Sequence, residues 1–220
     1  MLALLYPPRC FLCGRELRTL RPLCDDCLQA LPSFSGPVCR VCGVPVEEGI
    51  DLCRECAVEP RPFSWARSLG PYRGELRALV LGLKYGKEVA LARFLGQRMA
   101  GLLVGDVRVV TYVPRDPKRP GFHGAEALAR EVARTLGLPM RALLRKLRST
   151  PPQVSLSWAE RRENLRGAFR ATPGRGEAVL LVDDVYTTGA TVSECSRALL
   201  EAGYGEVGVL TAARSLPDED

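Results

Sequence analysis

The chain has 220 residues, of which 46% are hydrophobic and 25% charged, with a formal net charge of +6. This length and apolar content suffice to bury a core and predict one medium-sized domain together with a small one. The apolar run at the amino terminus, residues 2–5, is too short for a signal peptide or a membrane span, so we expect a cytoplasmic protein without a membrane span.

Eight of the nine cysteines form four Cys-x-x-Cys pairs, and the second two pairs repeat the first two at an offset of 29 residues. In a reducing compartment such pairs favour metal over disulfides, and two of them complete the four-sulfur shell that structural Zn²⁺ prefers. We therefore predict a tandem zinc ribbon with two structural Zn²⁺ sites. Its ligands are Cys10, Cys13, Cys24, Cys27, Cys39, Cys42, Cys53 and Cys56.

The spacing leaves the allocation of these ligands open. The simplest allocation places the first four cysteines on one ion and the last four on the other, whereas an interleaved cross-brace has the same spacing. So short a module has little core of its own, and its folding should depend on metal. The ninth cysteine, Cys195, is expected to be a packed core residue.

A proline-rich boundary at residues 60–62 divides the chain into two predicted domains, residues 1–60 and residues 61–220. The first holds 6 basic and 8 acidic residues, and the second holds 25 basic and 17 acidic residues. The basic excess is greatest over residues 115–175, where 14 basic residues face 5 acidic ones. Such a surface suits a highly charged anion and could equally attract a nucleic-acid backbone.

Beyond Pro62, strands and helices alternate, which predicts an α/β fold with a parallel sheet flanked by helices. His123, the only histidine, is expected to open or cap a helix, and a basic turn is expected at residues 84–87. Ser157 and Glu160 form a capping box for a short helix that carries Arg161. The predicted strands are 63–72, 107–113, 141–147, 179–182 and 207–212, and the predicted longer helices are 75–85, 89–104, 124–136 and 191–202.

The stretch from residue 179 to residue 191 contains the predicted ligand-binding residues. Four apolar residues, 179–182, predict a strand buried on both faces. Asp183 and Asp184 follow it, at the position where open α/β sheets bind ligands. Two such acids can accept hydrogen bonds from vicinal hydroxyls or help to hold Mg²⁺. The following turn has a glycine, small side chains and helix-opening amides that suit phosphate. Together they indicate a ribose 5-phosphate site, and no P-loop motif occurs in the chain.

This pattern resembles the phosphoribosyl pyrophosphate (PRPP) loop of type I phosphoribosyltransferases. The resemblance implies a type I phosphoribosyltransferase-like fold that binds PRPP with Mg²⁺, in which Asp183 and Asp184 hold the ribose hydroxyls and the loop holds the 5-phosphate. The implied PRPP-binding residues are Asp183, Asp184, Val185, Thr187, Thr188, Gly189, Ala190 and Thr191.

Further positions resemble the ComF family (competence protein F, or GntX-like), whose members join an amino-terminal zinc ribbon to a phosphoribosyltransferase domain. The positions that carry this resemblance are Gln153, Leu156, Arg161, Asn164 and Phe169. Type I transferases close a mobile loop over PRPP in this region, so residues 148–162 are the candidate lid and Arg161 is a candidate pyrophosphate ligand.

The chain also departs from the family pattern. Members usually show Arg-Gly-Phe-Asn-Gln where residues 120–124 read Pro-Gly-Phe-His-Gly, and Lys118 and Arg119 are the candidates that compensate at the pyrophosphate. Purine-salvage transferases place a catalytic Asp at the position of Thr187, so the catalytic residues are left unassigned.

Two functions follow from these resemblances. The first is a phosphoribosyltransferase that transfers phosphoribosyl to an unidentified nitrogen acceptor with loss of pyrophosphate, in natural competence and DNA uptake. The second is a non-catalytic, PRPP-dependent protein that binds single-stranded DNA or serves as an adaptor of the transformation machinery. The expected partners are PRPP, single-stranded DNA, and a competence helicase or another transformation protein.

Overall fold

The computed structural model describes residues 7–86, 89–116, 118, 121–149 and 165–216. The strands in these ranges are β1 (Trp65–Ser68), β2 (Val109–Tyr112), β3 (Leu144–Lys146), β4 (Phe169–Ala171), β5 (Ala178–Tyr186) and β6 (Glu206–Arg214). The helices are α1 (Asp25–Gln29), α2 (Arg54–Val58), α3 (Gly74–Gly86), α4 (Val89–Ala100), α5 (Gly124–Leu136) and α6 (Ala190–Glu201). None of the helices in the described ranges combines the length and the apolar character needed to cross a bilayer.

Four strands form one parallel sheet in the order β1-β6-β5-β2. The central strand β5 pairs with β2 on one side and with β6 on the other, and β1 pairs with the far edge of β6. The predicted α/β class, a parallel sheet flanked by helices, is confirmed. Because all four strands run in one direction, their carboxyl ends lie at a single edge of the sheet, where α/β folds bind ligands.

The alternation of side chains along β5 creates two hydrophobic cores, one on each face of the sheet. Leu180 and Val182 pack into the core that α3, α4 and α5 cover. Val179 and Leu181 pack into the core that α6 covers. Cys195 of α6 is fully buried in this second core, as predicted.

The two cysteine-rich repeats pack on opposite faces of the sheet. Cys10 and Cys24 of the first repeat join the core beneath α3 to α5, whereas Cys39, Cys42 and Cys56 join the core beneath α6. The second repeat also covers the sheet edge, because the backbone N–H of Ala66 in β1 donates to the carbonyl of Val41 at 2.6 Å. The predicted boundary at residue 60 stays a prediction, and these contacts join the two sides of it.

The structure differs from the predicted elements at several ends. The strand predicted over 141–147 is only three residues long, and it pairs antiparallel with β4 in a separate two-stranded sheet. β4 itself was not predicted, because three residues are too few to show a period. The strand predicted over 179–182 continues to Tyr186, and the helix predicted over 89–104 ends at Ala100, before Gly101. The short helix predicted after Ser157 lies outside the described residues.

Candidate functional site

The carboxylate pair, Asp183 and Asp184, lies within the central strand β5, near its carboxyl end, and not after it. Consecutive strand residues point to opposite faces, so the two side chains diverge. Asp184 faces the side of α3 and α5, where a Cβ built on Gly124 would lie 3.7 Å from its Oδ2 atom. The backbone N–H of Asp184 donates to Oδ1 of Asp183 at 2.9 Å, which fixes the first carboxyl group against its own strand.

Lys84, in the last turn of α3, contacts this pair. Its Nζ atom lies 3.2 Å from Oδ1 of Asp184, and both side chains are largely withdrawn from water. Burial disfavours the charged ammonium, but attraction by Asp184 and Asp183 outweighs it and raises the pKa of Lys84. The candidate site therefore contains a fixed positive charge beside its acids.

The two acids have different environments. Burial, and then repulsion by Asp184, raises the pKa of Asp183 to about 8, although the amide of Asp184 and the charge of Lys84 act in the opposite direction. Near neutral pH, Asp183 is therefore largely protonated without a ligand. A bound group that supplies positive charge or hydroxyl donors would favour its ionised form.

Residues 187–191, here the 187–191 loop, comprise the turn that connects β5 to α6 and the first two residues of α6. Gly189 has φ +77° and precedes the first residue of α6, and a Cβ at this position would overlap the hydroxyl of Tyr186. The N–H of Ala190 donates to Oγ1 of Thr188 at 3.3 Å, and the N–H of Ser193 donates to the carbonyl of Gly189 at 2.9 Å. The positive end of the α6 dipole thus follows the carboxylate pair after residues 185–189, an arrangement that favours phosphate.

Of the candidate pyrophosphate ligands, only Lys118 lies within the described residues. Lys118 lies exposed in the segment after β2, and its backbone N–H donates to Oδ1 of Asp116 at 3.0 Å. Hydrogen bonds from Ser149 and this amide, with Lys146 nearby, lower the pKa of Asp116 to about 2. Arg119 and Arg161 lie outside the described residues, as does most of the candidate lid.

A cavity of about 770 Å³ opens at the carboxyl end of β2, and the carboxylate pair is not among the residues that line it. The walls come from β2, α4, α5 and β3 and include Tyr112, His123, Glu126 and Lys146. His123 packs edge-on against Tyr112 at 5.4 Å and precedes Gly124, the residue that lies against Asp184. His123 is the residue before α5, as predicted, and burial lowers its pKa in spite of Glu126.

The eight paired cysteines form two compact clusters. The first cysteine cluster is Cys10, Cys13, Cys24 and Cys27, and the second cysteine cluster is Cys39, Cys42, Cys53 and Cys56. Within each cluster all four Sγ atoms lie within 4.8 Å of one another, so the structure has the sequential grouping and not the interleaved one.

The sulfur geometry fits Zn²⁺. Tetrahedral Zn–S bonds of about 2.3 Å place two sulfurs about 3.8 Å apart. Cys13 and Cys24 are 3.7 Å apart, and Cys42 and Cys53 are 3.6 Å apart. In Cys10, burial acts to raise the thiol pKa, but hydrogen bonds from backbone amides lower it to about 6, whereas burial and the neighbouring cysteines raise the pKa of Cys27. The two clusters therefore fit structural zinc.

Three residues at this edge of the sheet were not assigned to the site from the sequence. Lys84 was predicted only as part of a basic turn, and Tyr186 and Arg214 were not singled out. Arg214 ends β6 with 5% exposure, a rare degree of burial for arginine, and its guanidinium lies over the Tyr186 ring. No local pattern marks these residues, because their partners are distant in the chain.

Comparisons with known proteins agree with this arrangement. Residues 1–57 match the model of the double zinc ribbon domain family. The chain is 33% identical to the DNA utilization protein YhgH of Salmonella typhimurium over 97% of its own length and 100% of that protein. It is 29% identical to competence protein F of Haemophilus influenzae over 94% of its own length and 97% of that protein.

Among solved structures, the glutamine PRPP amidotransferase from B. subtilis matches with a TM-score of 0.41 and 28% identity. The match covers 55% of this chain and 25% of that one, so this chain spans about a quarter of that protein.

The fold and the cysteine clusters define an α/β protein that joins a parallel sheet to a double zinc ribbon. Identity to YhgH extends along the whole of both chains. The chain belongs to the competence protein F (ComF) family.

Proposed function

We propose that this protein binds PRPP with Mg²⁺ at the carboxylate pair and the 187–191 loop, and transfers the phosphoribosyl group to a nitrogen acceptor during the cytosolic handling of incoming DNA. One observation carries the proposal, namely that two carboxylates at the end of the central strand lead directly into a glycine turn and the amino terminus of α6. Carboxylates suit a ribose diol and Mg²⁺, and the helix terminus suits a 5-phosphate.

In this reaction the acceptor nitrogen forms a bond to C1 of the ribose, the bond from C1 to the pyrophosphate oxygen breaks, and the acceptor loses a proton. Mg²⁺, when bound, would neutralise charge on the leaving pyrophosphate. Lys84 lies close enough to the acids to stabilise negative charge at the same place. The proposed position of the acceptor is the cavity lined by His123, the residue before Gly124, which lies against Asp184.

The test is calorimetric titration of PRPP with Mg²⁺ into the wild type and into the double variant Asp183→Asn, Asp184→Asn. The chain offers a matched control, because Asp25 and Asp26 are also adjacent and lie exposed on α1. We expect binding by the wild type and by Asp25→Asn, Asp26→Asn, and loss of binding in the first variant. Absence of binding by folded, zinc-loaded wild type would refute the proposal.

A second function is favoured by the arginines of the small sheet. Arg145 of β3 and Arg170 of β4 lie directly opposite each other and are both exposed. Like charges in this position repel, so the pair is compatible with a polyanion such as single-stranded DNA. In this alternative the protein binds DNA in a PRPP-dependent way without turnover, and Thr187 stands where a catalytic carboxylate is missing.

Two assays distinguish the two functions. Pyrophosphate release with a defined acceptor indicates the transferase. DNA binding that weakens with salt, responds to PRPP and produces no pyrophosphate indicates the binding protein. Arg145→Gln, Arg170→Gln should weaken DNA binding and reduce its salt dependence, with Arg98→Gln of α4 as the control.

A further inference from the structure

Arg214 joins the second cysteine cluster to the strand that leads into the 187–191 loop. Its guanidinium donates from Nη1 to the carbonyl of Cys42, and Nη2 lies 3.7 Å from the Cys42 sulfur. The same guanidinium lies over the Tyr186 ring, 4.2 Å from its centroid. Tyr186 and Arg214 are also register partners across β5 and β6, so the contact is built into the sheet.

Both strand ends around this contact are held by backbone hydrogen bonds. The N–H of Arg214 donates to the carbonyl of Gly70, and the N–H of Tyr72 donates to the carbonyl of Arg214. The N–H of Ser215 donates to the carbonyl of Tyr186 at 2.9 Å. Arg214 therefore has little freedom to move unless the sheet edge moves with it.

Tyr186 carries the connection from Arg214 to the loop. It is the residue before Thr187, and its hydroxyl occupies the space that a side chain at Gly189 would need. Phe63 packs edge-on against the Tyr186 ring at 6.4 Å. A shift of Tyr186 would therefore move or release the turn at Gly189.

Charge explains why a buried arginine stands beside the second cysteine cluster. Four thiolates around Zn²⁺ leave an excess of negative charge, which is costly in a buried site unless cations lie close to it. Arg214 reaches Cys42, and Arg61, whose side chain is only 5% exposed, interacts electrostatically with Cys56. At the first cysteine cluster the interacting arginine is Arg15, whose side chain is 62% exposed and pairs with Asp26.

We propose that Arg214 is a positioning residue that couples Zn²⁺ in the second cysteine cluster to the conformation of the 187–191 loop. Metal in this cluster fixes Cys42, Cys42 fixes the guanidinium, and the guanidinium fixes Tyr186 beneath the loop. The two zinc sites then have different roles, since the first cysteine cluster contacts the opposite face of the sheet. Only the ligand-binding part of this inference rests on the proposed function.

The first test compares Arg214→Gln and Arg214→Lys with Arg197→Gln, an exposed arginine on α6 that pairs with Glu194. The readouts are zinc retained under a fixed concentration of chelator, hydrogen exchange of the amides in residues 186–193, and PRPP affinity. We expect Arg214→Gln to lose one of two zinc ions more readily and to exchange roughly tenfold faster in this segment, within the usual range of coupling between sites. Arg214→Lys keeps the charge and should restore part of the zinc retention, and Arg197→Gln should match the wild type.

The second test needs no substitution at Arg214, so it holds even if that variant fails to fold. Zinc is removed stepwise from the wild type, from Cys13→Ser in the first cluster and from Cys53→Ser in the second, and exchange of residues 186–193 is followed. Faster exchange that accompanies loss from the second cluster supports the coupling, and unchanged exchange overturns it. Because this readout does not involve PRPP, a wild type that fails to bind PRPP refutes the proposed function and leaves the coupling decided by zinc and exchange alone.

Discussion

The ammonium of Lys84 lies 3.2 Å from the carboxylate of Asp184, so the last turn of α3 and the end of the central strand share an ion pair. The pair is largely withdrawn from water, and Asp183 lies next to it along the strand. The positive charge of the candidate site therefore comes from α3, and not from the strand that carries the acids.

Replacing Lys84 by Met should destabilise the protein. Asp184 would lose its partner while staying partly buried, which typically costs roughly 1–3 kcal/mol of the free energy of unfolding. The measurement is urea denaturation at pH 8. The control is Arg130→Met, because Arg130 pairs with Glu126 at the surface, where such a pair contributes about 0–1 kcal/mol. Equal effects of the two substitutions would contradict the role assigned to Lys84.

Substitution of Gly189 by Ala should disrupt the loop more than a similar change elsewhere. Gly189 and Gly176 both have positive φ, so alanine is strained at either position, by roughly 1–2 kcal/mol. At Gly189 the new methyl also overlaps Tyr186, whereas at Gly176 nothing lies within 4 Å of it. We expect Gly189→Ala to lose PRPP binding and more stability than Gly176→Ala, as measured by calorimetry and thermal unfolding. Identical behaviour of the two variants would count against a tightly fitted turn.

PRPP affinity should rise with pH up to about 8. Burial and the neighbouring Asp184 raise the pKa of Asp183 to about 8, so at lower pH the ligand must displace a proton before the carboxylate can accept hydrogen bonds from ribose. Titrations at pH 7 in two buffers of different ionisation enthalpy should therefore report proton release on binding. Equal enthalpies in both buffers would exclude this role for Asp183.

The same pKa predicts the direction of a stability effect. The folded protein keeps a proton on Asp183 that the unfolded chain releases above its ordinary pKa of 3.8, so the free energy of unfolding should fall as the pH rises from about 4 to about 8. Asp183→Asn cannot titrate and should flatten this slope. Urea denaturation of both proteins across this pH range is the measurement, and parallel slopes would contradict the assignment.

A chain shortened to residues 61–220 should fail to form a stable domain. Cys39, Cys42 and Cys56 pack in the same core as Val179 and Leu181, and Val41 covers the edge of β1. Removal of the repeats would expose this core and the edge of β1. Near-UV circular dichroism and amide dispersion by NMR should show lost tertiary packing, and zinc removal from the full chain should weaken the same signals. A cooperative, native-like fragment would show that the boundary at residue 60 separates independent domains.

The sequence was most informative where the pattern is local. Helix α5 has the predicted bounds, and the 187–191 loop lies between a strand and a helix as predicted, because apolar periodicity and glycine placement determine such features over a few residues. The spacing of the cysteine pairs along the sequence predicted two metal sites. Only the fold decided whether the cysteines are grouped sequentially or in an interleaved way.

What the sequence could not predict are contacts between distant elements. Lys84 meets Asp184, and Arg214 meets Cys42, because the order of strands brings α3 and β6 to these positions. Periodicity indicates which face of an element is buried, but it does not name the partner on that face. The three residues of β4 likewise acquire their strand conformation from pairing with β3 and not from their own pattern.

The contact between Arg214 and Cys42 spans 172 residues, which has a consequence for the order of events during synthesis. The cysteine repeats leave the ribosome before β6, which supplies the arginine and pairs with β1. Until then the second repeat lacks both the guanidinium and the sheet edge that cover it. Its four thiols must therefore stay reduced or bind metal without this cover while the 172 residues from Cys42 to Arg214 are made, and the finished site closes only when β6 is added.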